Sequence, residues 1–118
     1  MYKYYNNNAL GLFEDDCTVR AISTATGNSW DDTYQHLSNA ARLQGKMMDD
    51  REFIRHYLDM NYPRVRYLPY RVGNVAYEYP NNVLLITMPG HIVCSRYGVV
   101  LDSFDCRHKI AEDAWVVK

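Results

Sequence analysis

The hydrophobic pattern of the chain changes its period once, close to Pro63. Before that proline, apolar residues recur three and four positions apart, which is the spacing of one face of an α-helix. After it, apolar residues alternate with polar ones or form short runs, which is typical of β-strands. Helices followed by strands predict an α+β fold with N-terminal helices packed on one side of a C-terminal antiparallel β-sheet. A chain of 118 residues has room for one such domain, 1–118.

Three helices are expected before the change of period. Each has a polar residue suited to cap its first turn and a glycine or proline that ends it. The second resembles a capping box in which Asp32 replaces the usual glutamate. The expected limits are Cys17 to Gly27 with Asp15 or Asp16 as the cap, Ser29 to Gly45, and Asp49 or Asp50 to just before Pro63.

The strands are expected in the second half of the chain, separated by short turn signals. Pro89-Gly90 ends one apolar run, and Tyr97-Gly98 is typical of a hairpin turn. The expected strand segments are 65–72, 83–88, 92–96, 99–103 and 114–117.

Charge and composition exclude several classes of protein. The formal net charge of −1 argues against binding to nucleic acid or membranes by electrostatic attraction. No apolar run approaches the roughly 18 residues of a membrane span. Three cysteines without a CxxC pair argue against a disulfide framework and favour a reducing compartment. The first residues contain no apolar signal region, so a cytoplasmic location is expected.

Cys17 is the first residue with chemical potential, because it opens a helix. Unpaired amides and the helix dipole at that position stabilise a thiolate and lower the pKa of the thiol. The charges of Asp15 and Asp16 act in the opposite direction. A free cysteine is also a common core residue, so Cys17 alone leaves a structural role open.

His91 and Asp102 are expected on neighbouring strands. A two- or four-residue loop centred on Tyr97-Gly98 pairs residue 96 with 99 and residue 91 with 104. In that register His91 and Asp102 share a face and lie about 5–8 Å apart at the backbone. An imidazole and a carboxylate can form a hydrogen bond at that distance. A three-residue loop would shift the register and weaken this expectation.

Cysteine, histidine and aspartate in this chain order form the set that a thiol hydrolase uses. The imidazole takes the thiol proton, and the carboxylate fixes the imidazole tautomer and supports its positive charge. Structural roles remain possible for both partners, since strand histidines are usually hydrogen-bonded and aspartates often cap turns. Because three placements agree with one geometry, the sequence favours a triad of Cys17, His91 and Asp102.

Short motifs around these residues resemble the papain-like cysteine peptidase superfamily. They are Asp-Cys-Thr-Val-Arg-Ala-Ile-Ser at 16–23, Gly-His-Ile-Val at 90–93 and Val-Val-Leu-Asp-Ser at 99–103. The nearest likeness is to small bacterial and phage members, including the bacteriocin-leader peptidases. The resemblance implies a papain-like fold in which Cys17 is the nucleophile, His91 the general base and Asp102 the orienting acid.

The sequence departs from the family at the oxyanion hole. The family usually has a glutamine about half a dozen residues before the cysteine, where this chain has Gly11 and Leu12. Asn8 is the best substitute donor, with the backbone amide of Cys17 as the second. The two preceding asparagines remain alternatives, and all three are also typical of a turn. A missing donor typically costs on the order of a hundredfold in rate, so an inactive site is a second possibility.

A metal site is not expected. The gaps between His91, Cys94, Cys106 and His108 match no standard zinc spacing. Cys94 also points to the opposite face of its expected strand from His91, so it is interpreted as a core residue. The proposed chemistry requires no cofactor.

Tyrosine and arginine are concentrated between residues 51 and 79. Such a mixture can form a stacking platform for single-stranded nucleic acid or a hot spot for protein binding. Tyrosine is also a favoured strand residue with arginine on the solvated positions, and this interpretation is preferred here. The residues are Arg51, Arg55, Tyr57, Tyr62, Arg64, Arg66, Tyr67, Tyr70, Arg71, Tyr77 and Tyr79.

The sequence therefore predicts a cysteine peptidase-like hydrolase that cleaves a peptide or isopeptide bond in a polypeptide. The alternative is a binding or inhibitor protein with the same fold and no turnover, for example a phage-encoded protein directed at a host protein. A nucleic-acid partner is not expected.

Overall fold

The structure is a computed structural model that describes residues 1–7 and 16–118. Helix α1 (Cys17–Thr26) ends at Gly27, which adopts the left-handed conformation at φ 81 and donates its amide to Ser23. Helix α2 (Trp30–Leu43) is capped by Ser29, whose side chain accepts a hydrogen bond from the Asp32 amide. Helix α3 (Arg51–Asn61) is capped by Asp50, whose side chain accepts a hydrogen bond from the Phe53 amide. These three helices confirm the expected ones, because their signals are local in sequence.

A fourth helix, α4 (Val72–Glu78), lies where the sequence predicts part of a strand. The expected strand around residues 65–72 is wrong, since that stretch contributes only the isolated bridge between Arg71 and Ile110. The apolar residues Val72, Val75 and Ala76 of α4 are all buried. They stand at positions i, i+3 and i+4, which lie on one face of a helix. Burial against the sheet thus overrides a short alternating pattern.

Five strands form one mixed sheet in the order β1-β4-β3-β2-β5. All neighbouring pairs are antiparallel except β1 and β4, which are parallel, so the expected all-antiparallel sheet is wrong at that edge. The strands are β1 (Tyr2–Tyr4), β2 (Val83–Met88), β3 (His91–Arg96), β4 (Val99–Asp102) and β5 (Asp113–Val116).

The β3–β4 hairpin has the two-residue turn on which the register depends. Tyr97 and Gly98 both have positive φ, 51 and 85, as a type I′ turn requires. Residue 96 pairs with 99, 95 with 100 and 94 with 101. This is the expected register, and it places Asp102 on the same face of the sheet as Val93.

The sheet separates two hydrophobic clusters. On one face α1, α2 and α3 cover Ile92, Cys94 and Trp115. On the other face α4 and the segment before β5 cover Val93 and Val100. The helices therefore lie on both sides of the sheet, which corrects the expectation of one-sided packing. No helix in the described part of the chain is long and apolar enough to cross a membrane.

Candidate active site

Cys17 is the first residue of α1, as expected, and its side chain is partly exposed. Asp16 occupies the N-cap position but its side chain makes no capping hydrogen bond. Its carboxylate is instead held by Arg20 Nε at 2.8 Å and by Trp30 Nε1 at 2.7 Å. Asp16 is therefore the N-cap residue, as expected, but without a side-chain cap, because an ion pair one turn along α1 and an indole from α2 hold the carboxylate. Asp15 lies outside the described residues.

His91 is the first residue of β3. The turn before it contains Gly90 at φ 71, a conformation that favours glycine, and it returns the chain so that Met88 pairs with His91. The imidazole is 13% exposed and lies 4.9 Å from the Phe104 ring, centroid to centroid. The turn thus presents the histidine at the end of the sheet where α1 begins.

Asp102 ends β4 and is 4% exposed. Its Oδ2 lies 2.6 Å from Nε2 of His91, so the structure brings these two residues together as the hairpin register predicts. Since Nε2 faces the carboxylate, Nδ1 is the ring nitrogen that remains available to Cys17, whose interaction is among the causes that raise the pKa of His91. The imidazole therefore lies between a thiol and a carboxylate.

The electrostatics of the site favour a charged pair. Burial alone would raise the pKa of the Cys17 thiol, but hydrogen bonding to His91, the charge of His91 and the backbone of Ile92 hold it below its usual value. Burial alone would lower the pKa of His91, but hydrogen bonds to Asp102 and Cys17 raise it to about 9. A depressed thiol and an elevated imidazole are the directions expected of a thiolate–imidazolium pair.

The second carboxylate oxygen of Asp102 is also occupied. Oδ1 accepts the Ser103 backbone amide at 2.7 Å and lies 3.3 Å from Arg20 Nη1. The Asp102 carbonyl accepts the Tyr5 amide at 2.8 Å and the Tyr2 hydroxyl at 3.1 Å. The edge strand β1 therefore supports the backbone that carries the acid.

Sequence reasoning did not single out Arg20, which contacts both Asp16 and Asp102. The spacing of four between Asp16 and Arg20 on a helix is a signal for an ion pair. The contact with Asp102, 82 residues further along the chain, depends on how α1 packs against the sheet and leaves no local signal.

The other two cysteines have no part in this pair. Cys94 is fully buried on the opposite face from His91, and burial raises its pKa to about 12. Cys106 is buried close to Asp102, and burial together with the charge and hydrogen bond of Asp102 raises its pKa to about 12. Neither thiol is poised as a nucleophile.

One group of side chains could hold a metal ion. His91, Asp102 and Cys106 each present a ligand atom, and these atoms lie within 4.8 Å of one another. The nitrogen, oxygen and sulfur donors suit zinc, but His91 Nε2 and Asp102 Oδ2 lie 2.6 Å apart and bond each other. Without an ion, burial and Asp102 raise the pKa of Cys106 to about 12. The arrangement therefore favours a protonated Cys106 beside the carboxylate.

A cleft of about 450 Å³ opens beside Cys17 and His91. One wall is aromatic, formed by Trp30 and Tyr34 of α2, whose rings stack at 5.3 Å. A volume of this order accommodates a drug-sized ligand or a few residues of a polypeptide.

The rim of the cleft also carries charge. Arg51 bonds Glu112 at 2.8 Å, and Arg55 lies 3.1 Å from Asp113, so two ion pairs join α3 to the start of β5. Apart from Arg51, Ile54 and Arg55, the described lining takes nothing from residues 51–79, so no tyrosine of that segment lines the cleft.

Asn8, the expected oxyanion donor, lies outside the described residues, so its prediction is not tested. No family model, no curated protein and no solved structure matches the chain. The resemblance to papain-like peptidases therefore stays a prediction from the motifs, and the geometry of the described residues carries the functional argument.

Proposed function

We propose that the protein is a papain-like thiol hydrolase that cleaves a peptide or isopeptide bond with Cys17, His91 and Asp102. The observation that carries the proposal is the position of His91, whose Nε2 lies 2.6 Å from Asp102 Oδ2 and which lines the same cleft as Cys17. The opposite directions of the Cys17 and His91 pKa values support a charged pair at neutral pH. A perturbed pKa that has a specific charge partner and lies at a cleft is typical of a functional site.

The first half of the proposed reaction forms a thioester. The Cys17 thiolate attacks the substrate carbonyl carbon, and the carbonyl electron pair moves to oxygen. The backbone amide of Cys17, at the unpaired first turn of α1, is a donor for that oxyanion. When the intermediate collapses, the carbon–nitrogen bond breaks and the amine leaves with a proton from the imidazolium of His91.

The second half releases the acid. Neutral His91 takes a proton from water, and the resulting hydroxide equivalent attacks the thioester carbonyl. The carbon–sulfur bond breaks, and the thiolate–imidazolium pair is restored. Asp102 keeps the imidazole in one tautomer and supports its positive charge throughout. All protons are supplied by water and the pair itself, so this route uses no cofactor.

The cleft supports a polypeptide substrate. Its aromatic wall suits an apolar side chain, and its volume of about 450 Å³ accommodates a few residues of a polypeptide. A cytoplasmic location, expected from the cysteine content, is compatible with the reduced thiol that the mechanism needs.

The test measures alkylation of Cys17 by iodoacetamide against pH, read by mass spectrometry. In the wild type Cys17 should react far faster than Cys94 and Cys106 below pH 7, because only it has a depressed pKa. His91→Ala should remove the reactivity of Cys17 below pH 7 and shift its alkylation to the higher pH of an ordinary thiol. His56→Ala, a change at an exposed histidine of α3, is the matched control and should leave it intact.

A plain thiol profile for Cys17 in both the wild type and His91→Ala would overturn the proposal. A reactive Cys17 justifies a search for substrate with a peptide library. A reactive thiol without turnover on any peptide would favour the non-catalytic binding protein, which Cys17→Ala should then leave functional.

A further inference from the structure

Arg20 lies one turn after Cys17 on α1, and its side chain is 13% exposed. Its Nε donates to Asp16 Oδ1 at 2.8 Å. Its Nη1 donates to Ser103 Oγ at 2.9 Å and lies 3.3 Å from Asp102 Oδ1. One partly buried guanidinium therefore ties the helix that begins at Cys17 to the strand that ends at Asp102.

The guanidinium is itself held in place. Asp16 is 8% exposed, and its second oxygen accepts the Trp30 indole at 2.7 Å. With Asp16 fixed from the side of α2, Arg20 has one end anchored while the other points to β4. A planar guanidinium suits this role, since it offers donors in two fixed directions from one group.

The two oxygens of Asp102 have different partners. Oδ2 faces His91, and Oδ1 faces Arg20 and the Ser103 amide. A carboxylate can rotate about its own bond, so donors on one oxygen determine where the other points. The contacts on Oδ1 thus set the orientation of Oδ2 toward the imidazole.

We propose that Arg20 is a positioning residue that orients Asp102 toward His91, and that Asp16 holds Arg20 in place for this task. The inference rests on the proposed function, in which His91 acts as the base. Arg20 acts through Asp102 alone. The buried groups from Asp16 through Arg20, Asp102 and His91 to Cys17 then alternate in charge, so each carboxylate has a cation on at least one side.

The competing account is that Arg20 contributes only a positive charge. The two accounts predict opposite changes in the pKa of His91 when Arg20 is replaced. Removing a nearby cation makes an imidazolium easier to form, which raises the pKa of His91. Losing the orientation of Asp102 removes the support of the imidazolium, which lowers the pKa of His91. The direction of the change in Arg20→Gln therefore separates them.

The experiment is a proton NMR titration of the His91 ring in a Cys17→Ser background, which removes the coupled thiol. The signal is identified by its loss in His91→Gln. Arg20→Gln should lower the pKa of His91 by about one unit, since one hydrogen-bonded charge partner shifts a pKa by about one to three units. Arg20→Lys keeps the charge but cannot span both carboxylates, so it should also lower the value, by less.

Two further variants complete the design. Asp16→Asn with Arg20→Gln removes a buried carboxylate together with its cation, so it is expected to fold even where Arg20→Gln does not. Its His91 pKa should stay lowered, because Asp102 still lacks its orienting donor. Arg96→Gln is the matched control: Arg96 is partly buried and donates to the Thr24 carbonyl at 2.8 Å. It should leave the His91 pKa unchanged.

An unchanged or raised His91 pKa in Arg20→Gln would overturn the proposal. So would recovery of the starting value in Arg20→Lys or in the double variant. The NMR titration measures neither turnover nor thiol reactivity. Failure of the hydrolase proposal therefore shows in the alkylation of Cys17, and failure of this one shows in the NMR titration.

Discussion

The folding stability of a Cys17→Ser variant should fall between pH 6.5 and 9. His91 has an ordinary pKa of 6.5 and a folded pKa of about 9. A group whose pKa is raised by folding contributes stability below its unfolded pKa and loses it as the pH rises through its folded pKa. The shift of the His91 pKa from 6.5 to about 9 corresponds to about 3 kcal/mol of folding stability. Because the imidazole is only 13% exposed, solvent screening removes little of this stabilisation.

Cys17 has to be removed for this loss to appear. Where Cys17 is a thiolate, the folded pair carries one proton, and so does the unfolded pair of thiol and neutral imidazole. The two contributions then cancel near pH 7 to 8, and the wild type should show a flat profile there. With serine at position 17 the hydrogen bond to Asp102, the larger of the two raising contacts, remains. We expect about 2 kcal/mol of the stabilisation to survive and to be lost by pH 9.

Urea unfolding measures this directly, followed by the fluorescence of Trp30 and Trp115 at pH 6, 7, 8 and 9. A variant with both Cys17→Ser and His91→Gln is the control, because it keeps the other three histidines and lacks His91, the histidine whose pKa is raised. The difference in unfolding free energy between the two variants should shrink as pH rises. Parallel curves from pH 6 to 9 would refute the reasoning.

Three further outcomes are expected. In the native protein Cys94 and Cys106 should resist iodoacetamide at pH 8 and react only in denaturant, because both are buried and have pKa values near 12; modification of either at the rate of Cys17 would contradict this. Ser29→Ala removes the cap of α2 and should cost about 1 kcal/mol in urea unfolding, without changing the alkylation profile. Phe53→Ala empties a site that is 1% exposed and should cost about 3–5 kcal/mol; a loss below about 1 kcal/mol would argue against the described core.

The sequence predicts most of the elements because their signals are local. Ser29 and Asp50 cap their helices with bonds to amides three residues ahead, and Gly27 ends α1 with a positive φ. The turn at Tyr97-Gly98 has two residues, and that length alone determines the register of β3 and β4.

The elements that the sequence does not predict depend on contacts between distant segments. Helix α4 is only seven residues long and includes Gly73 and Asn74, which are poor helix formers. Its helical form follows from the burial of Val72 and Val75 against the sheet. The parallel pairing of β1 with β4 joins residues nearly a hundred positions apart, for which no short pattern exists.

The candidate site divides in the same way. Cys17, His91 and Asp102 follow from a helix start, a turn and a strand register, each of which is local. The buried contact of Arg20 with Asp102 required the packing of α1 on the sheet.

The parallel pairing of Tyr4 with Asp102 also affects when the site can form. The ribosome makes Cys17 before His91 and Asp102, which follow only after helices α1 to α4 and strand β2. Until β4 is available, β1 has no partner strand and Cys17 has no imidazole beside it. Long-range pairings of this kind form late in folding. During synthesis Cys17 is therefore an ordinary thiol, and a nascent or truncated chain lacks its pairing with His91.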